Sequence, residues 1–107
     1  MTRTDRWLDD LARALEVAGE LTARGRAAFD TDPALPLAFE ALANRVGDLA
    51  KRLLADDPEA FSAEIWVLAA RSRDFVVHHY ARVDPDVLWN TVSHDFPELA
   101  AIVRAML

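Results

Sequence analysis

The sequence predicts an all-α fold, a helical bundle of three longer helices followed by two short C-terminal ones. Three observations predict it. Alanine supplies 20 of the 107 residues, against 3 glycines and 5 prolines, so helix-forming side chains dominate. No run of β-branched residues alternates with period 2, so no strand is signalled. Asp32-Pro33, Asp57-Pro58 and Asp84-Pro85 each set a capping side chain ahead of a proline, the pattern that opens a helix.

The elements follow in order. The first helix is expected to start near Asp5 and end near Gly25, with Trp7, Leu8, Leu11, Leu15 and Ala18 on one stripe. The second starts at Asp32-Pro33, and Phe39, Leu42, Val46, Leu49 and Leu53 mark a long packing seam. The third starts at Asp57-Pro58, with room for one break before a stripe of Ile65, Leu68, Ser72, Phe75 and His79. A short fourth helix starts at Asp84-Pro85 and carries Val87, Leu88 and Val92. The last begins around Phe96-Pro97-Glu98 and holds Leu99, Ile102, Val103 and Met106. No repeat, linker or low-complexity stretch divides the chain, so residues 1–107 read as one domain.

Composition narrows the function classes. Without cysteine the chain forms neither disulfides nor thiolate metal sites, which fits a reducing cytoplasm. Charges at Arg3, Asp5, Arg6, Asp9 and Asp10 rule out reading the start as a signal peptide. No apolar run approaches the roughly 20 residues that span a bilayer, so no membrane role is expected. The net charge of -6 argues mildly against a nucleic-acid substrate. Its distribution softens that objection. Arg71, Arg73 and Arg82 gather near the histidines, while acids cluster at Asp30, Asp32, Asp56, Asp57 and Glu59. Lys51 is the only lysine, and arginine suits bidentate phosphate contacts better than lysine does.

The segment that stands apart is Arg71-Ser72-Arg73-Asp74-Phe75-Val76-Val77-His78-His79-Tyr80-Ala81-Arg82. At about 100° per residue, Arg71, Asp74, His78 and Arg82 share one polar stripe. Asp74 precedes His78 by one turn, placed to accept a ring N–H and hold one tautomer. Arg73, Val77 and Tyr80 share a second stripe. Arg73 and His78 are then about 140° apart around the axis. One helix does not easily close both on a single phosphate, but two copies related by a two-fold axis could pool them in one cleft. Each residue also has a bland reading: His79 as packing, Arg82 as a dipole-complementing cation, Tyr80 as a half-buried aromatic. An isolated Arg and His five apart is usually structural.

A wider pattern surrounds that segment. Trp66, six residues, then Arg73-Asp74, three apolar residues, His78, His79 and Tyr80 resembles the signature of HepT-like ribonuclease toxins in the HEPN superfamily. Val83-Asp84, Val87-Leu88-Trp89 and Asp95-Phe96-Pro97-Glu98-Leu99 resemble the family's downstream pattern, and Gly47-Asp48-Leu49-Ala50 its Gly-Glu-x-Ala turn. The resemblance covers the chain from about Phe29 onward. It implies a HEPN-type bundle and a homodimeric endoribonuclease that uses no metal and no cofactor. It also implies an MNT-type nucleotidyltransferase antitoxin as partner. Carried over residue by residue, the catalytic pair is Arg73 and His78, with Asp74 and Arg71 in support. Tyr80 matches a tyrosine that the antitoxin adenylylates in some members. Asp74 stands where Asn is usual, and Asp48 where Glu is usual.

The chemistry so implied is simple. RNA supplies its own nucleophile in the 2′-hydroxyl. His78 removes or returns a proton, and Arg73 from one or both subunits stabilises charge on the phosphorane-like transition state. Two other readings stay open: a non-catalytic substrate- or nucleotide-binding subunit of a split nucleotidyltransferase, and a helical dimerisation module.

Overall fold

The computed structural model describes residues 1–79 and 84–107, the side chains of 73–79 excepted. The described residues hold seven helical elements: α1 (Arg3–Thr22), α2 (Arg26–Thr31), α3 (Ala34–Asp56), α4 (Glu64–His79), α5 (Pro85–Asn90), a π-helical turn (Thr91–Asp95) and α6 (Phe96–Met106). The all-α bundle with three longer helices is thus observed, and the differences from expectation lie at the joints.

Helix α1 starts two residues earlier than its apolar stripe suggests, because Thr2 and Asp5 form a capping box. The Asp5 N–H donates to Thr2 Oγ1 and the Thr2 N–H donates to Asp5 Oδ2, both at 3.1 Å. Leu8, Leu11, Leu15 and Ala18 are buried as a single face. The helix ends at Thr22, and Gly25 turns the chain with φ +89°, ψ 161°, a region open almost only to glycine. That turn admits α2, a short helix the sequence pattern did not signal. It exists to bury one side chain, Phe29, at 2% exposure.

The three Asp-Pro steps behave differently. Asp84 caps α5 as expected, accepting from the Asp86 N–H at 2.8 Å. Asp32 also accepts from the backbone, here from the Ala34 N–H at 3.0 Å, which puts the start of α3 one residue later than Pro33. Asp57-Pro58 does not open a helix at all. Asp57 accepts from the Ala60 N–H at 3.1 Å within a run of turns, and α4 begins only at Glu64. Packing explains why. In one helix, Phe61 and Trp66 would point about 140° apart. The turns instead bring their rings together edge-to-face at 4.8 Å, with both side chains fully buried.

The two C-terminal helices are joined without a break, because the π turn carries α5 into α6. Pro97 explains it. Proline has no N–H to donate, and its ring clashes with the carbonyl four residues back in a regular helix. Widening by one residue relieves this, and the Phe96 N–H bonds to the Thr91 carbonyl five residues back.

One core joins these elements. Helix α4 packs most extensively on α3, and α1 packs on α3 and α6. On α4 the buried side is Ile65, Trp66, Ala69, Ala70 and Ser72, so Leu68 departs from its expected core place and lies 41% exposed. Val87 and Met106 likewise face outward. At the other end of the bundle, Asp56 ties α3 to the start of α1. It accepts from Arg3 Nη2 at 2.6 Å and from Thr4 Oγ1 at 2.8 Å. The Thr4 and Arg3 bonds hold the Asp56 carboxyl below the usual carboxylate range, and the Thr2 cap does the same for Asp5.

Two outcomes are expected. Gly25→Ala loses about 1–3 kcal/mol of stability in urea unfolding through backbone strain alone, since no atom lies within 4 Å of the added Cβ. Gly19→Ala, inside α1 and equally unobstructed, gains about 0.5–1 kcal/mol. The acid limb follows from linkage. Carboxyls with folded values below the unfolded one stabilise above the unfolded value, near 4, and that contribution is lost as pH falls through the folded value. Asp56→Asn should therefore flatten the acid limb of the urea midpoint measured against pH.

Candidate active site

Helix α4 sets the site, and its packing on α3 sets which side of α4 is free. Ser72 pins the register. Its buried hydroxyl lies 2.6 Å from the Ala69 carbonyl and 3.2 Å from the Ala43 carbonyl of α3, a polar bridge between two close-packed helices. Around α4, buried Trp66 and Ala69 define the core side, and exposed Glu64, Val67 and Arg71 define the opposite side.

The backbone of α4 continues in the same register to His79. Position 78 repeats Arg71 and Glu64 at intervals of seven residues, and position 74 lies within about 60° of them. Position 73 repeats Trp66, seven residues earlier. Arg73 and His78 thus occupy register positions about 140° apart on one helix. The side chains of Arg73, Asp74 and His78, with those of Phe75 and His79 from the expected stripe, fall outside the described part. Tyr80 and Arg82 lie outside the described residues.

Arg71 is described, and it is exposed. Arg3, Arg13, Arg26 and Arg52 are all engaged by aspartates, whereas Arg71 makes no ion pair among the described residues. It borders a cleft of about 240 Å³ between α4 and the α5–π segment. Ala43, Ser72 and Leu88 floor the cleft, Leu68 and Val87 form its lips, and Thr91 and Asp95 of the π turn stand across it. Thr91 was not singled out by the sequence, and Asp95 only as part of the Asp95-Phe96-Pro97-Glu98-Leu99 pattern. The available signal was Pro97, which forces the π turn that carries both.

An aromatic block holds the far wall in place. Phe29, Phe39 and Trp89 join α2, α3 and α5, with centroids 4.9 Å apart for Phe29–Phe39 and 5.7 Å for the stacked Phe39–Trp89 pair. Arg26 covers this block, 5.4 Å from the Phe29 ring and 6.0 Å from the Trp89 ring. It bonds Asp30 at 2.8 Å and Asp86 at 2.7 Å, and these bonds, Asp30 first, raise its pKa further. On α3, Asp48 pairs with Arg52 at 3.1 Å, one turn on.

Comparison with known proteins identifies the family. The model of the family described as "Ribonuclease HepT-like" matches residues 9–106. A protein of Thermococcus cleftensis named "Probable ribonuclease HepT" is 34% identical, covering 87% of this chain and 86% of its own. One of Caldanaerobacter subterraneus subsp. tengcongensis, named "Putative RNase", is 32% identical over 74% of this chain and 70% of its own. No solved structure matches at a significant level. The chain belongs to the HepT-like ribonuclease family.

Among the described residues, no group of three or more His, Asp or Glu side chains is arranged to hold a metal ion, and no helix is long and apolar enough to cross a membrane. If Ser72 fixes the register of α4, Ser72→Ala should cost about 1 kcal/mol in urea unfolding, the ordinary worth of one net hydrogen bond.

Proposed function

We propose that the chain is the ribonuclease toxin of a toxin–antitoxin pair, acting in the cytoplasm and silenced by an MNT-type nucleotidyltransferase antitoxin. The observation that carries this reading is the extent of the family match, which runs through the whole of Arg73–Tyr80 and the landmarks on both sides.

The reaction needs no metal. The His78 imidazole takes the proton of an RNA 2′-hydroxyl, and the freed oxygen forms a bond to the adjacent phosphorus. The bond from phosphorus to the 5′-oxygen breaks, that oxygen takes a proton, and a 2′,3′-cyclic phosphate end remains. Arg73 stabilises the charge that builds on the phosphoryl oxygens. Asp74 accepts a ring N–H from His78 and fixes its tautomer. The opposed registers of positions 73 and 78 support a homodimer, in which arginine from one copy and histidine from the other meet at one linkage. Adenylylation of Tyr80 by the antitoxin would place bulk and negative charge beside the phosphate path and turn RNA away.

The net charge of -6 favours a second reading, in which the chain is the nucleotide- or substrate-binding subunit of a split nucleotidyltransferase. One experiment separates the two. His78→Ala is expected to lower RNA cleavage in EDTA by at least about a hundredfold, with an unchanged helical circular dichroism spectrum. Full cleavage by the variant, or none by the wild type on any cellular RNA, would sink the toxin reading. A complex whose nucleotidyl transfer to an outside acceptor ignores His78→Ala would establish the second. Intact-mass measurement after co-expression with an MNT-type nucleotidyltransferase is then expected to report an AMP on Tyr80.

A further inference from the structure

The cleft beside Arg71 belongs to no role described so far, and its chemistry is specific. Its lips, Leu68 and Val87, are apolar yet 41% and 44% exposed, which gives two faces for a flat ring to slide between. Its volume of about 240 Å³ falls below the roughly 300–1,000 Å³ of pockets that hold drug-sized ligands, so it suits a single nucleobase. Among the described residues the floor offers nothing polar to satisfy, because the Ser72 hydroxyl is already bonded to carbonyls and Leu88 is buried. Recognition must come from the rim.

Among the described residues, one guanidinium, Arg71, and one carboxylate, Asp95, stand at the rim. Both line the same cleft, yet they form no ion pair with each other. Thr91 between them donates its hydroxyl to the Val87 carbonyl at 2.9 Å, so only its lone pairs face outward. A carboxylate next to an RNA path repels phosphate unless it takes donors from a base. The Watson–Crick edge of guanine carries two adjacent donors, N1–H and the N2 amino group, beside one acceptor, O6. The two donors match a carboxylate, and the acceptor matches a guanidinium. Adenine and cytosine each set a donor against an acceptor, and uracil has one donor between two acceptors. Single-stranded bases are commonly read on this edge.

We infer that this cleft is a guanine subsite of the ribonuclease, with Asp95 accepting from N1–H and N2, Arg71 donating to O6, and Leu68 and Val87 holding the ring. The inference rests on the ribonuclease reading. It places the guanosine on the same side of α4 as position 78, about 10 Å along the helix, within one or two nucleotides of the cleaved linkage.

The test separates binding from turnover. Guanosine 3′-monophosphate and inosine 3′-monophosphate, which lacks only the N2 amino group, are titrated into the purified full chain by calorimetry. The expected result is guanosine binding about tenfold tighter, with the difference erased in Asp95→Asn. Equal affinities, or no saturable binding of either nucleotide, would overturn the subsite. In parallel, the wild type cleaves matched oligonucleotides carrying one guanosine or one inosine, a comparison that needs no folded variant. His78-dependent cleavage indifferent to that exchange overturns the guanine subsite and leaves the ribonuclease standing. Absence of His78-dependent cleavage with guanosine binding intact overturns the ribonuclease and keeps the cleft as a guanine site.

Discussion

The packing of α4 on α3 is the constraint from which the rest follows. Two helices that share a polar bridge at Ser72 and small side chains at Ala43, Ala69 and Ala70 approach closely and cannot rotate past each other without losing both. Once Trp66 and Ala69 are committed to the core, the helical repeat assigns a register to every later position on α4. The outward register of Glu64, Val67 and Arg71 passes to positions 74 and 78, and the inward one to position 73. The register of the proposed site at the C-terminal half is therefore decided at the N-terminal half, by buried apolar residues.

That view explains how far the sequence could be read. The buried stripes of α1 and α3 were legible because each is long enough for its period to stand out: Leu8, Leu11 and Leu15, then Phe39, Val46 and Leu53. The cap at Asp84 was legible because a capping aspartate and a proline at the first helical position have little other use together. The same two residues misled at Asp57-Pro58, where the edge-to-face contact of Phe61 and Trp66 outweighed continuing the helix. Helix α2 escaped notice because six residues hold barely two turns and a single buried side chain, too little for a period. Leu68 was misplaced because a stripe drawn through Ile65 and Ser72 passes equally well through position 68, and only the neighbouring helices decide which edge of it is covered. At the site, the Arg73–His78 spacing and its surrounding landmarks were visible and identified the family. The cleft was not visible, because it is assembled from α3, α4 and a π turn far apart in the chain.

The landmarks of the family pattern divide by physical role. Trp66, Leu88, Phe96 and Leu99 are buried, and Trp89 stacks in the block with Phe29 and Phe39. These residues make the scaffold on which α4 and α5 are fixed. Pro97, exposed at the start of α6, acts through the backbone alone: it leaves no way to continue a regular helix and so imposes the π turn. A signature that mixes a few reactive residues with many packing ones is what a site on a small bundle requires, since about a hundred residues leave no separate region to hold the chemistry steady.

An acidic chain that cuts RNA gives up most of the sequence-independent attraction that basic nucleases enjoy, because that attraction scales with the number of phosphates neutralised. Here four of the nine arginines with described side chains are spent on aspartates: Arg3 on Asp56, Arg13 on Asp9, Arg26 on Asp30 and Asp86, Arg52 on Asp48. Beside the proposed subsite stands Arg71, and a single guanidinium gives little sequence-independent affinity. Discrimination then has to come from contacts made after arrival, and a carboxylate is useful for that purpose. It penalises any strand that offers it phosphate or a bare acceptor, and rewards one that offers paired donors. On this argument the carboxylate at the cleft is the means by which a small ribonuclease ignores most of the RNA it meets.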